Sequence, residues 1–589
     1  MARIDLKAFK GMAPRVSPGL LENEQGVHVV GNCSSGELRP WNRPTFVESC
    51  PPDTATIYLV NLESGPVWLT WNEGASVQPS ANANDAFGRI YYTRESGGLF
   101  VVSPLDDYTE YRVGVPKPGA ACTVTITGAA GGGSKRDVVY VYTYVNDWGE
   151  EGPPSDPSEM KEVETGQAIT LSDFAAPAIG FKTVVAIRIY RIAVGEVEAD
   201  WFFVAEIPAP QIDYVDDLPD KALGDALSTE TYDLPQTSAR SLIPVGNGIF
   251  ATFEGNEVAF SEPYLPYAYP DRFRMSIPER IVALGNVGGG ILTGGVLAIL
   301  TSSHPYHIST AHPASTRIGP EDFQQIRQPE LTPCVSPRSV VSTEFGLLFA
   351  ASDGLRVFKS DGPSSLVTGD LISAKEWVSM FDPINIRAGF FDGVYYGWFG
   401  QNGFALQTRN GILTWTGLPA HAVYTDSLGM FIASQGAIYA WDSEPGMLRG
   451  EFRSKVFRVE KPVNISSLRI DSSLGGSWEV LRGYLESIRQ INIGLDREPL
   501  DLAGEEILGQ SVAGDNLFDL PYDGGELGWH LFRLWADGVL RFEHRIDRSG
   551  FARLPAGYLA REWQFEIRTH SHIKQISLGT GTRTMMGGR

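Results

Sequence analysis

His304-Pro-Tyr-His307, with His312 five residues further on, is the nearest approach in this sequence to a set of metal ligands. Two histidines three apart chelate well on a helix, but Pro305 and the flanking strand pattern deny that geometry, so ordinary polar histidines in a loop are expected. A glycosidase would need clustered carboxyls, and Asp353, Asp392 and Asp442 are the candidates. Asp353-Gly354 and Asp392-Gly393, however, are the pair that a tight hairpin turn demands. Ser352-Asp-Gly-Leu-Arg-Val-Phe358 also lacks the full Asp-box spacing that ends in Trp. Trp68, Trp71, Trp398, Trp415 and Trp441 could stack on sugars, yet alternating aromatics are equally what strand cores are made of.

Carboxylates are dense in two stretches. Glu206 to Asp233 holds eight against Lys221, and Asp496 to Glu526 holds nine against Arg497. Neither has the loop spacing of a calcium site, and Leu218-Pro219 interrupts the first, so solvated acidic edges are expected. A Gly-x-Ser-x-Gly elbow, a His-Glu-x-x-His pair, a P-loop and a dinucleotide fingerprint are all missing. Cys33, Cys50, Cys122 and Cys334 share no Cys-x-x-Cys spacing and read as buried free thiols. The expectation is no catalytic residue, no cofactor and no metal: not an enzyme.

The elements that would position these residues are short strands. Gly248–Phe260, Ile281–Ser302, Val340–Phe358, Ala388–Gln401 and Gly429–Trp441 each alternate apolar and polar residues around Gly-containing turns. Strands recurring every few tens of residues predict a β-propeller, and Thr56–Val60, Val67–Trp71, Arg89–Thr93 and Gly98–Val102 read as a further blade. About six blades are expected. A Pro/Gly linker, Tyr111–Gly119, then leads to a fibronectin- or immunoglobulin-like β-sandwich whose strands include Cys122–Ile126, Asp137–Val145, Val185–Arg191 and Trp201–Ile207.

The predicted order is an extended N-terminal arm (1–52), a first blade (53–115), the inserted sandwich (116–236), the remaining blades (237–450) and a C-terminal β-sandwich-like domain (451–589). In the last, Tyr484–Gln490 reads as a short helix.

A length of 589 residues implies several cores. The net charge of −22 argues against gripping a nucleic-acid backbone, though not against a wall past which DNA slides. The start, Met-Ala-Arg-Ile-Asp-Leu-Lys, has no apolar leader, and no run of about 18 apolar residues occurs, so synthesis in the cytoplasm without membrane insertion is expected.

Phe9-Lys-Gly-Met-Ala-Pro-Arg15, Pro18-Gly-Leu-Leu21 and Asn32-Cys-Ser-Ser-Gly-Glu-Leu-Arg-Pro40 resemble the opening of tail proteins from short-tailed bacteriophages. Gly114-Val-Pro-Lys-Pro118, the Gly149-Glu-Glu-Gly-Pro-Pro-Ser155 bend, Ser352-Asp-Gly-Leu355 with Val367-Thr368 and Trp377, and Arg561-Glu-Trp-Gln-Phe-Glu-Ile567 are similar to the same proteins, in the same order. The family is the tail nozzle, or tail tubular protein B, and related hub proteins. The resemblance implies a structural subunit of a ring, usually hexameric, in the virion tail. Portal or adaptor and tail fibre or tailspike proteins would be its partners, and the genome would pass through unbound during ejection. Two other classes stay open: a propeller adhesin for host glycans, and a glycosidase.

Overall fold

Alternation with a period of two, broken by turn residues, makes this chain mainly β. The computed structural model describes residues 3–63, 65–194, 199–288, 291, 295–310, 320–360, 362–473, 529–546 and 549–581. They divide into two compact units, Met1–Glu73 with Cys334–Arg589, and Gly74–Pro333.

Among the described residues, five four-stranded antiparallel sheets and the first four strands of a ten-stranded sheet have the make-up of propeller blades, three in each unit. In the first unit one blade runs from Val341–Thr343 to Gly362–Leu366 and the next from Arg387–Phe391 to Ile412–Trp415. In the third, Ala422–Thr425, Met430–Ser434 and Ala437–Met447 are completed by the N-terminal strand β3 (Asn42–Ser49). Inner strands such as Gly346–Ala351 and Val394–Phe399 are buried throughout. The hairpin between Arg387–Phe391 and Val394–Phe399 turns on Asp392 (φ 48°) and Gly393 (φ 75°), the two left-handed positions that favour Asp-Gly.

In the second unit the blades are Ala75–Pro79 to Tyr111–Arg112, Arg240–Gly246 to Arg274–Ser276, and Ile281–Val287 to Gln324–Arg327. Between the first two lies the inserted sandwich. Its two larger sheets are Thr123–Thr127, Ala168–Ser172 and Asp213–Asp216, and Tyr140–Asn146, Val184–Val194 and Ala199–Pro208; Lys135–Val138 and Lys161–Glu164 pair separately. Tyr140, Tyr142 and Tyr144 fill its core with Leu171 and Ile189.

The first fifty residues differ from the arm expected of them. β1 (Arg3–Leu6) pairs with Ile573–Gly579, and β2 (Gly26–Val30) bridges Ile412–Trp415 and Gly450–Ser454. Leu6, Phe9, Met12 and Val29 enter the C-terminal core, because apolar residues among turn formers here find distant sheets to bury against.

The first blade also differs. Thr56–Leu62 and Gly65–Trp71 form their own hairpin in the first unit, Trp68 packing on Tyr424 and Phe431 at 5.7 and 5.0 Å between ring centres. The two strands missing from that reading are Ala75–Pro79, polar and short enough to escape periodicity, and Tyr111–Arg112, which opens the stretch read as a linker.

Two sheets make the C-terminal sandwich. One continues from β2 through Gly450–Ser454, Ala560–Thr569, His530–Ala536 and Val539–Ile546; the other is β1, Ile573–Gly579, Ser467–Ser472 and Gly550–Arg553. Phe452, Phe532, Phe565 and Trp563 share their core with Leu468, Ile470 and Leu578. The helix read at Tyr484–Gln490 lies outside the described residues.

His530 is fully buried in this sandwich, Nδ1 2.8 Å from Thr569 Oγ1 and Nε2 2.9 Å from Ser472 Oγ. Burial pushes its pKa down to about 3. A depressed folded value means that stability is full above the unfolded value of about 6.5 and is lost as pH falls toward 3. At pH 4 the loss reaches about 3 kcal/mol. Melting curves across pH 4–7 should show it, and His530→Gln should flatten the profile below pH 6.5.

Candidate functional site

The histidines do not converge. Arg327 donates to Nδ1 of His304 at 2.8 Å in a bend, whereas Nδ1 of His307, on the buried strand Tyr306–Ser309, takes Gln328 Nε2 at 3.0 Å. Burial lowers the His307 pKa. His312 lies outside the described residues, and among those described no group of three His, Cys, Asp or Glu is placed to hold a metal. Cys33, Cys50, Cys122 and Cys334 are free thiols; burial pushes Cys33 and Cys334 up to about 12 and Cys122 to about 11.

The three aspartates work in turns and joints. Asp353 is held by Arg356 at 2.7 Å beside its hairpin turn, and Asp392 occupies the left-handed turn position described above. Asp442 (φ 52°) accepts the backbone N–H of Asn42 at 2.5 Å where β3 clasps the last blade.

Burial raises the Asp442 pKa to about 6, against the N–H bond from Asn42 and the Arg39 charge. A raised folded value gives stability that is full below the unfolded pKa of about 4 and lost as pH rises through 6. Asp442→Asn should therefore remove a stability decline between pH 4 and 6, read as a change in melting temperature across that window.

Two of the candidate tryptophans, Trp398 and Trp441, lie inside a core. Trp41, Tyr396, Trp398 and Trp441 interlock with ring centres 5.7–5.9 Å apart, all buried. Trp415 stacks on Phe381 at 5.1 Å and 17°. Phe381 belongs to α1 (Ala374–Phe381), whose capping box, Ser373 with Glu376, was the overlooked sequence signal.

Charge is the more informative property. Residues 74–333 hold seventeen Lys/Arg against thirty-three Asp/Glu. Along the sandwich's acidic stretch, Arg188 takes Glu206 at 2.7 Å, and buried Arg191 takes Asp216 at 2.5 Å and Asp220 at 2.9 Å. Tyr140 Oη and the Leu218 N–H also donate to Asp216, at 2.6 and 2.9 Å. Asp213, Asp217, Asp225 and Glu230 remain exposed. The second acidic stretch, Asp496–Glu526, lies outside the described residues.

The C-terminal sandwich has the opposite balance: residues 449–473 and 529–581 hold fourteen Lys/Arg against eight Asp/Glu. Its long sheet carries a ladder of charges around the buried Glu451 and Glu566. Glu451 meets Arg449 at 2.9 Å, Arg568 at 3.5 Å and His28 at 3.6 Å; Arg533 meets Glu566 at 2.9 Å and Glu543 at 3.1 Å. Burial works to raise the Glu451 carboxyl, but the bond from His28 and the Arg449 and Arg568 charges outweigh it and leave it below its ordinary value. The signal was present as charge–aromatic alternation, Glu451-Phe-Arg453 and Arg541-Phe-Glu543-His-Arg545.

Among the described residues, no helix is long and apolar enough to cross a membrane. No protein-family profile matches the chain, and no curated protein matches it in sequence. Among solved structures it is similar to an AfRom2 CNH domain, at 6% identity over 46% of this chain and 86% of that one, with a TM-score of 0.24. It is also similar to YCF48 from Cyanidioschyzon merolae, at 10% identity over 63% and 97%, with a TM-score of 0.23. Superpositions this loose carry no argument about what the chain does.

Proposed function

We propose that this chain is a structural subunit of a phage tail nozzle or hub ring, part of the conduit for genome ejection. The observation that carries the reading is the ordered series of nozzle-like motifs, together with the work their side chains do. They act inward, as fastenings. Phe9 packs edge-on against Phe452 at 4.9 Å. Glu150 and Glu151, in the Gly-Glu-Glu-Gly bend, receive Arg89 and Arg188. Trp377 is fully buried and donates its indole N–H to the Ala351 carbonyl at 2.8 Å. Trp563, Phe565 and Ile567 fill the C-terminal core. Motifs of this kind preserve a shape rather than a reaction.

The acidic balance of residues 74–333 suits a surface that DNA passes without sticking. Screening confines that repulsion to about 8 Å from the wall at physiological salt. Portal or adaptor proteins on one side and fibre or tailspike proteins on the other are the partners this reading requires, with six copies in the ring.

Electron microscopy and proteomics of purified particles test it. A ring of this chain in the tail is expected; a chain found in no particle, or one that hydrolyses a glycan and loses that activity on a single Asp→Asn change, would overturn the reading.

A further inference from the structure

Val539–Ile546 is the last strand of its sheet, and among the described residues it pairs with His530–Ala536 alone. Eight residues long, it exposes Val539 (50%) and Leu540 (45%) beside Arg541 and Arg545. Those arginines lie over the rings of Tyr558 and Trp529, at 5.4 and 4.2 Å. A long, exposed, partly apolar edge is a template for another strand.

Asp213–Asp216, the edge strand of the inserted sandwich, is its complement. Among the described residues it pairs with Ala168–Ser172 alone. It exposes Val215 (54%) beside Asp213, with Ile212 (84%) and Asp217 at its ends. One edge is apolar and basic, the other apolar and acidic.

We infer that the Val539–Ile546 edge of one copy takes the Asp213–Asp216 edge of a second copy as an added antiparallel strand. The inference rests on the ring reading and supplies its contact. Charge selects this pairing over two alternatives. An antiparallel self-pair of Val539–Ile546 centred on Glu543 sets Arg541 opposite Arg545 and Glu543 opposite itself. A self-pair of the acidic edge centred on Val215 sets the exposed Asp213 opposite the exposed Asp217. Like charges directly opposite destabilise a ladder, so both two-fold arrangements are disfavoured. The mixed pair uses two different surfaces per subunit, which is the condition for a head-to-tail ring.

The test is self-association of the full chain by sedimentation velocity and native mass spectrometry, at about 50 mM salt where screening is weak. Arg541→Glu with Arg545→Glu in one variant, and Asp213→Lys with Asp217→Lys in another, should each weaken association about tenfold or more. Their circular dichroism should match the parent, since all four side chains are exposed. Mixing the two variants should restore association, because the reversed edges again complement each other.

Association unchanged in either variant, no rescue on mixing, or a parent that stays monomeric overturns the pairing. Tail rings that persist with Arg541→Glu/Arg545→Glu retire this edge and leave the nozzle reading standing. Edge-dependent association of a chain found in no particle retires the nozzle reading and keeps the edge.

Discussion

Removal of residues 1–52 is expected to abolish folding of the first unit. An arm lying over a finished surface could be cut away at little cost. Here the same deletion strips β1 from Ile573–Gly579, β2 from between Ile412–Trp415 and Gly450–Ser454, and β3 from Ala437–Met447. Leu6, Phe9, Met12, Val29, Leu38 and Trp41, each at most 2% exposed, would leave their cores with it. At about 1.5–3 kcal/mol for each buried side chain, the loss is on the order of 10–20 kcal/mol. A typical domain has a total stability of about 5–15 kcal/mol, so the deletion exceeds what the unit can absorb. The shortened chain should accumulate as aggregate. A soluble product with the parent's cooperative melting transition would show that the N-terminal strands are dispensable.

The second large effect is expected inside the sandwich. The Arg191 and Asp216 side chains are 1% and 0% exposed, and their ion pair is completed by Tyr140, Leu218 and Asp220. Arg191→Met would leave the Asp216 carboxylate buried with two neutral donors and no cation. Breaking such a pair from one side costs about 3–5 kcal/mol, whereas replacing both partners by apolar groups is often close to neutral. Hydrogen exchange of Tyr140–Asn146 should therefore accelerate strongly in Arg191→Met and much less in Arg191→Met/Asp216→Leu. Equal acceleration in both would mean that packing volume, rather than the stranded charge, sets the cost.

The blades were legible wherever two short, largely apolar strands flank an Asp-Gly turn, as at Gly346–Lys359 and Arg387–Phe399. Such signals are local, and local pairs need no knowledge of the rest of the chain. Partners hundreds of residues apart leave no periodic trace, which is why β1, β2 and β3 read as an arm. Ala75–Pro79 was hidden for another reason: it is Ala-Ser-Val-Gln-Pro, with a proline at its end.

Of the candidate site residues, the turn role of Asp392-Gly393 followed from chemistry visible in two residues. The Arg191–Asp216 pair did not, because it joins strands of different sheets. The charge contrast lay in the sequence throughout, but the total of −22 conceals it until the boundaries between acidic and basic regions are known.

The clasp between β3 and the last blade sets a clock on biogenesis. Phe46 pairs with Tyr439, so about 400 residues must be synthesised before β3 meets its neighbour. At about 5–20 residues per second, β3 waits roughly 20–80 seconds on the ribosome with its backbone unpaired. Its own sequence guards it in that interval: Pro44 removes one backbone donor, and Arg43 and Glu48 place charge along a strand that carries Phe46 and Val47. The last blade therefore closes only once Ala437–Met447 has been made, and the first unit cannot finish before Ile573–Gly579 emerges to take β1.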